Sequence, residues 1–415
     1  SRDFNLRIIL IESASQLDEV FIYSGKVKKK GNPAIAILKK IWAKERQNGI
    51  YLFDQYQYEK YEKLEFDMNN VDSAFMKKKL FKGMEFVFKN IDTSNITGKA
   101  FLPIFINESV YNSYGKNKGG QKLREDLVAN KNSGFNSNQN VIAFIKDLYV
   151  DYNIYDSYIK IFDKSFVSPI SKASGISTYN YVLTDSAFVD NKWCYNILYY
   201  PRRKSELTFK GDFWVNDTTF AVKEINMQAT RSANINWVKD IYIEQEFNVL
   251  NDSVFLLKRD YMLSDFSLNK KDKSRGVYGR RTTMYKDYHF NEIKDASFYS
   301  KEINVYDKEI YNKNNDFWSD NRQEKLSDNE LGIYKMLDTL TTVPKFKKMY
   351  NAISILGSGY IEFNKFDFGS IYSTFGKNDV EGLRLRVGGR TYLGGNEPWR
   401  LQGYTAYGFD DDKFK

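Results

Sequence analysis

The chain has 415 residues and carries Lys+Arg 62 against Asp+Glu 53, a formal net charge of +9, which favours acidic partners such as lipid headgroups, lipopolysaccharide or nucleic acid with salt-sensitive strength. Its single cysteine, Cys194, excludes an intrachain disulfide and a cysteine-based zinc cluster, and the length, roughly two to three times a ~150-residue domain, predicts several modules. With 31 Tyr and 31 Phe the chain is 16% aromatic, as expected where strands or membrane-interface belts abound, while no apolar run of about 18 residues marks a transmembrane helix.

No charged-then-apolar leader opens the chain, and the missing initiator methionine suggests a fragment whose upstream part has been removed. FNLRIILIE, Phe4 to Glu12, is predicted to be the last strand of a module, followed by LDEVFIYSGK and the basic run KVKKKG as a linker. Pro33 stands where a first-turn proline belongs, and Ile35, Leu38, Ile41 and Trp42 recur at helical spacing through Asn48. Tyr51 to Met68 alternates as a strand, with Tyr56, Tyr58, Leu64 and Phe66 on one face and Gln57, Glu59, Lys63 and Glu65 on the other. Val71 to Ile91 is predicted helical, and its Lys77, Lys78, Lys79 and Lys82 form either a solvated face or a headgroup contact. A strand is expected over Lys99 to Tyr111. Gly115 to Asn138, rich in Lys, Asn and Gly, suggests a mobile loop or a short helix with loop flanks. Val141, Phe144, Ile145, Leu148, Tyr149 and Tyr152 then lay an apolar stripe along a helix.

From Tyr179 to Phe290 the pattern changes to consecutive antiparallel strands. Asp190-Asn191, Asn216-Asp217 and Asn251-Asp252 sit between alternating runs, as hairpin turns require. Leu207, Phe209, Phe213 and Val215 share a face, as do Ile241, Ile243, Phe247 and Val249, and a third set of Phe255, Leu257, Tyr261 and Leu263. These line one side of a broad curved sheet, forming either a core covered by helices or a concave pocket for an acyl chain. The candidate pocket lining is Phe209, Phe213, Ile241, Ile243, Phe247 and Leu257.

Ser327 and Glu330 have capping-box spacing, with Leu331, Tyr334, Leu337 and Leu340 following. Pro344 starts a second helix presenting Phe346, Met349, Tyr350 and Ile353 beside Lys345, Lys347 and Lys348, which suits an interfacial membrane element or a packed surface helix. FDFGSIYSTFG is a further candidate strand. In the closing segment Leu383, Leu385 and Val387 oppose Arg384, Arg386 and Arg390 across a strand. After a turn over Gly394 to Pro398, Trp399, Leu401, Thr405, Tyr407 and Phe409 share a face. Strands of about ten residues, apolar outward and polar inward, match those that span an outer membrane, although an ordinary half-exposed hairpin alternates likewise. The candidate membrane-facing residues are Leu383, Leu385, Val387, Trp399 and Leu401. Two or three such strands cannot close a barrel, so further strands are expected beyond Lys415.

Catalytic chemistry finds little support. His289 is the only histidine and is expected to be a structural or surface residue; neither a Cys-His pair nor a multi-histidine zinc site is expected from this inventory. A triad using it lacks a G-x-S-x-G elbow. GKNKGG is no phosphate loop, and no spacing singles out two carboxylates for glycoside chemistry. No catalytic residue, metal or cofactor is therefore assigned. Basic and aromatic residues interleave in YYPRRKSELTFKGDFW, Tyr199 to Trp214, but a polar loop between strands accounts for them and no nucleic-acid partner is assigned.

FDKSFVSPIS, ELTFKGDFWVNDTTFAVKEINM, NINWVKDIYIEQEF, YKMLDTL and VEGLRLRVGGRT resemble an uncharacterised Bacteroidota family of outer-membrane proteins, in which a carboxypeptidase regulatory-like β-sandwich precedes a periplasmic region and a C-terminal barrel. The resemblance implies that residues 1–31 end that sandwich and its linker, 32–178 form a helix-rich α+β segment, 179–300 an antiparallel carrier-like sheet, 301–358 a helical connector and 359–415 the first barrel strands. LDEVFI is similar to the junction after this module in TonB-dependent receptors, and the module's name implies no peptidase activity. In strand order, turn type and face chemistry the sheet from Tyr179 is similar to LolA-type lipoprotein carriers.

The expected fold class is α+β: a large curved antiparallel sheet with flanking helices, followed by the first strands of a truncated outer-membrane β-barrel. The expected role is non-enzymatic handling or scaffolding of hydrophobic cargo (lipid, lipoprotein or nascent outer-membrane protein) on the periplasmic side of the outer membrane. An envelope protein complex is a further expected partner. The alternatives are a carboxylate-dependent hydrolase of envelope glycan or lipid, and a structural adaptor.

Overall fold

Asn32 accepts the Ala34 N–H at 2.9 Å and so caps α1 (Pro33–Asn48), whose first residue is the proline that needs no donor. The same Asn32 amide donates to the Tyr181 carbonyl at 2.9 Å, pinning the helix start to the sheet. The computed structural model describes residues 27–133, 151–162, 164–203, 206–230, 238–267, 275–301, 307–322, 328–348, 355, 360–363, 366–378, 380–391 and 401–415. The expected strand at Phe4 to Glu12 and most of the stripe from Val141 lie outside these residues.

One large antiparallel sheet organises the chain. Its strands are β1 (Gln55–Asn69), β2 (Asp92–Thr93), β3 (Ala100–Lys116), β4 (Lys122–Ser133), β7 (Tyr179–Val189), β8 (Lys192–Pro201), β9 (Phe209–Asn216), β10 (Val222–Ala229), β11 (Val238–Leu250), β12 (Val254–Phe266) and β13 (Val277–Phe290). A separate hairpin joins β5 (Tyr158–Ile161) to β6 (Lys164–Val167). The order β3-β1-β13-β12-β11-β10-β9-β8-β7, with β4 and β2 on β3, means that the chain enters mid-sheet with β1 and walks outward to β4. It then re-enters at the far edge and meanders inward until β13 pairs with β1. Asp190, Asn251 and Asp252 take left-handed φ values of 49°, 48° and 61° at the hairpin turns, as their short polar side chains allow. The fold is thus α+β with a large antiparallel sheet, and among the described residues no barrel closes.

Both faces of this sheet are covered. On the inner face Leu38 and Ile41 of α1, 0% and 1% exposed, pack with Phe209, Phe213, Ile225, Ile241, Ile243 and the β5–β6 residues Ile159 and Phe166. Each such side chain contributes about 1.5–3 kcal/mol. On the outer face α2 (Asn315–Asn321) buries Trp318 against Tyr61 and Val110. Helix α3 (Asp328–Thr342) buries Ile333, Tyr334, Met336, Leu337 and Leu340 against Leu102 and Ile106.

Several expectations need correction. Val71 to Ile91 holds one helical turn, Ser73–Met76, and two 3-10 turns, Lys79–Phe81 and Glu85–Asn90. Asp72 caps the first, and Gly83, at φ 85°, interrupts the run, its N–H donating to the Glu85 carboxylate at 3.0 Å. The apolar spacing survives because Phe75, Phe81, Met84 and Val87 all turn to the α3 core. Within Gly115 to Asn138, Lys122–Ser133 is strand β4, paired along β3, rather than loop or helix. The segment expected to be helix-rich therefore contributes three long strands to the sheet. Phe255, Leu257, Tyr261 and Leu263 do not share a face: a bulge at Lys258 shifts the register between Glu246↔Arg259 and Phe247↔Leu257. Phe255 stays on the inner face with Met262, while Leu263 packs with Phe101 and Tyr278 on the other. Leu331 is 45% exposed and leaves the α3 stripe to Ile333 and Met336. Ser327, the other half of the expected capping box, lies outside the described residues, and Glu330 pairs with Lys63 at 2.9 Å.

A second, six-stranded antiparallel sheet follows. It comprises β14 (Tyr360–Phe363), β15 (Phe366–Gly369), β16 (Phe375–Asn378), β17 (Gly382–Thr391), β18 (Gln402–Gly408) and β19 (Lys413–Phe414). Among the described residues no helix is long and apolar enough to cross a membrane.

Candidate functional site

Tyrosine alternates with polar residues at the start of β1, two tyrosines three positions apart stand at the end of β13, and the pairing of these strands gathers both sets. Asp287, at φ 54°, sits where the β1–β13 register slips, so Tyr285 and Tyr288 both turn toward Tyr58. The ring centroids lie 5.5 Å and 5.2 Å from that of Tyr58. Tyr56 pairs across the strands with Gly115, and a side chain at Gly115 would collide with the Tyr56 ring.

These rings wall a cavity of about 340 Å³ between the inner sheet face, the end of α1 and the segment from Asp151 to Asp156. Seven tyrosines line it, Tyr51, Tyr56, Tyr58, Tyr152, Tyr155, Tyr285 and Tyr288, together with Phe247, Phe255, Leu256 and Leu257. Tyr288 donates to the Leu257 carbonyl at 2.7 Å, and Tyr51 accepts from Asn153 at 2.6 Å. Burial pushes the Tyr56 and Tyr155 hydroxyls up to about 12, so they remain neutral donors at physiological pH. Glu45, Gln121, Asp156 and Gln245 supply polar lining. Burial raises the carboxyls of Glu45 and Asp156 above the usual carboxylate range. The surface is therefore amphipathic, with aromatic and aliphatic walls and a few polar groups, in the manner of small-ligand sites.

Beneath one wall lies a chain of buried charges. Lys60, its side chain 4% exposed, is 2.6 Å from Glu125 and 3.1 Å from Asp151. Arg281, 0% exposed, is 3.0 Å from Asp151 and 2.8 Å from Asp260, which also accepts from Tyr152 at 2.7 Å. Burial pushes the Asp151 carboxyl up, but Lys60 and Arg281 outweigh it and hold the group below the usual range. The network fixes two residues of the lining to the sheet, Asp151 onto Lys60 of β1 and Arg281 of β13 and Tyr152 onto Asp260 of β12.

The residues picked out from the sequence divide. Phe247 and Leu257 line the cavity, whereas Phe209, Phe213, Ile241 and Ile243 are at most 1% exposed in the buried cluster they share with residues of α1 and β5–β6. Tyr56 and Tyr58 were legible as one strand face. Tyr152 was read only as the end of an apolar helical stripe, while Tyr285 and Tyr288 went unnoticed, and the repeated Tyr in MYKDYHF was the available signal. His289 is exposed and pairs with Gln57, away from the lining. Cys194 is buried, which raises its thiol to about 12. Tyr199, Phe209 and Phe213 point into the core rather than interleaving with surface arginines. Among the described residues no group of three or more His, Cys, Asp or Glu is arranged to hold a metal ion.

The second sheet has an inverted surface. Phe363, Phe366, Phe375, Leu383, Leu385 and Val387 share one face through their cross-strand pairs, and they are 60%, 44%, 71%, 51%, 37% and 46% exposed. The opposite face holds the charges: Arg390 is 2.8 Å from Asp367, and Arg386 lies over the Tyr404 ring at 3.9 Å. Leu401 is 64% exposed at the start of β18, and Trp399 lies outside the described residues.

Residues 37–288 match the profile of a family described as a family of unknown function, DUF5686. No curated protein matches. Among solved structures, the chain is similar to a DUF1329 family protein from Desulfovibrio piger, at 9% identity over 65% of this chain and 97% of that one, with a TM-score of 0.28. It is also similar to a LolA superfamily protein from Nitrosomonas europaea, at 11% identity over 65% and 97%, with a TM-score of 0.23.

Proposed function

The chain belongs to DUF5686, a family of unknown function, and on that footing we propose that it is a non-enzymatic envelope protein, anchored in the outer membrane, that handles hydrophobic cargo on the periplasmic side. The cargo is a lipid, the acyl part of a lipoprotein or a segment of a nascent outer-membrane protein. In this reading residues 359–415 are the first strands of a barrel and residues 1–31 end an accessory sandwich.

What supports the cargo role is the amphipathic cavity walled by Tyr58, Tyr285, Tyr288, Phe247 and Leu257. Its volume suits one chain or headgroup, at the small end of ligand sites, which span about 300–1,000 Å³. What supports the anchoring is the inverted second sheet, because water-soluble proteins rarely expose a continuous apolar face of this kind.

A fluorescent fatty acid is expected to bind the purified chain, and Leu257→Trp, which fills the cavity from its wall, is expected to weaken binding about tenfold. Phe213→Leu in the filled core should lower stability and leave affinity unchanged. Equal affinity in Leu257→Trp and the unaltered chain, or no binding at all, overturns the cargo role.

One observation favours a hydrolytic alternative: Glu45 and Asp156 both line the cavity with raised carboxyls. Under it, turnover of an envelope glycan or lipid ester would fall at least about a hundredfold in both Glu45→Gln and Asp156→Asn. Under the carrier reading neither variant has any turnover to lose, and the expected result is none in the unaltered chain.

A further inference from the structure

Two lysine-rich segments that are some 260 positions apart in sequence meet on one surface. Lys77, Lys78, Lys79 and Lys82 are all exposed. So are Lys345, Lys347 and Lys348, in the helical residues 344–348. The Lys345 ammonium donates to the Lys79 carbonyl at 2.7 Å and to that of Lys82 at 3.4 Å. Phe346 is buried in the cluster that holds Phe75, Phe81, Met84 and Val87. The aromatic packing thus forces like charges together, although their mutual repulsion opposes the compact state. Two carboxylates border the patch: Asp72, which pairs with Arg275 at 2.9 Å and lies near Lys78, and Glu85, which accepts the Gly83 N–H and lies near Lys345 and Lys82, so seven exposed lysines face two acids.

We propose that this surface docks on anionic lipid headgroups. The inference rests on the membrane anchoring proposed above and assigns it a second, electrostatic contact. Lys348 is twelve positions from Tyr360, the first residue of the apolar-faced sheet, so at about 3.5 Å per residue the lysines are tethered within about 40 Å of it. If that sheet enters a bilayer, the lysines are within reach of the headgroup layer, where each exposed cation adds attraction to an anionic surface.

The test is co-sedimentation of the full chain with vesicles of phosphatidylcholine alone or mixed with phosphatidylglycerol, at low and high salt. Binding to the mixed vesicles is expected to be stronger and salt-sensitive. The fourfold variant Lys77→Gln, Lys78→Gln, Lys82→Gln, Lys347→Gln should lose on the order of a hundredfold of the phosphatidylglycerol-dependent binding, with circular dichroism unchanged because all four side chains are exposed. Equal binding to both vesicle types, or a preference that survives in the variant, overturns the headgroup surface while leaving the apolar anchor standing. Binding confined to phosphatidylglycerol vesicles supports the lysines and overturns the anchor, and no binding to either vesicle overturns both. Tighter binding of a short DNA duplex than of the mixed vesicles would also overturn the proposal.

Discussion

Glu108→Ala is expected to lower the stability of the main unfolding transition by roughly 3–5 kcal/mol, read as a shift in the urea midpoint at unchanged slope. The Glu108 side chain is 0% exposed. It accepts from the Tyr61 hydroxyl at 2.6 Å, from Arg322 Nε at 2.6 Å and from Arg322 Nη2 at 2.7 Å. The Tyr334 hydroxyl adds a bond at 2.5 Å. One carboxylate therefore ties β1 and β3 to the chain after α2 and to α3, and its removal leaves a largely buried guanidinium and two buried hydroxyls without their acceptor. Burial alone would raise the Glu108 carboxyl, but the bonds from Arg322, Tyr334 and Tyr61 outweigh it and hold the group below the usual glutamate value. With the folded value depressed, the unfolded chain binds the proton more readily. The stabilisation is fully present above the unfolded value near pH ~4.3 and is lost as pH falls through the folded one. The unaltered chain should lose stability on that acid limb, and Glu108→Gln, which has nothing to titrate, should show a flatter profile there. Superimposable acid limbs would show that Glu108 is not held as a buried carboxylate.

The sequence made some of this fold legible and concealed the rest for identifiable reasons. Helix α1 was readable because its cap, its proline and its apolar spacing all agree locally. The hairpins from β7 to β12 were readable because Asp190, Asn251 and Asp252 mark the turns. Strand β4 was not, because it lies at the sheet edge and its sequence, KLREDLVANKNS, is mostly polar, leaving only a weak alternation against a Gly-Lys-Asn background. Face assignments failed where a bulge changes parity, as at Lys258. The cavity was only half visible, since Tyr58 and Tyr285 are brought together by pairing between the first and last strands of the sheet.

Buried charge is the extreme case of that concealment. Lys60 reaches Asp151 across 91 positions, Arg281 reaches Asp151 across 130, and Arg322 reaches Glu108 across 214. Each looks in isolation like a solvated surface residue, and finds its partner only when distant elements pack together: Arg281 of β13 on Asp151 and Asp260, Lys60 of β1 on Asp151, and Arg322 after α2 on Glu108 of β3. The apolar exposure of the second sheet conveys the complementary lesson. Its alternation was plain in the sequence, but which side faces outward depends on what the sheet packs against.

Arg281→Met is the second large effect expected, again roughly 3–5 kcal/mol. Arg281 is 0% exposed and stands between Asp260, 3% exposed, and Asp151, 38% exposed. Without it Asp260 keeps only neutral donors such as Tyr152, whereas Asp151 retains Lys60 and partial access to water. The cost should therefore fall mainly on Asp260. In the double variant Arg281→Met, Asp260→Asn the stranded charge is gone, and part of the lost stability should return as a favourable coupling between the two sites. Strict additivity would mean that the pair is not a single buried unit. Because Tyr152 and Asp151 are both part of the cavity lining, the single variant should also bind the fluorescent fatty acid more weakly, and the double variant should recover stability without full recovery of affinity, since Asp151 still lacks one of its two cations. Stability and binding are thus expected to separate at this network, as they would if the ion pairs that close the sheet also set the shape of the cavity.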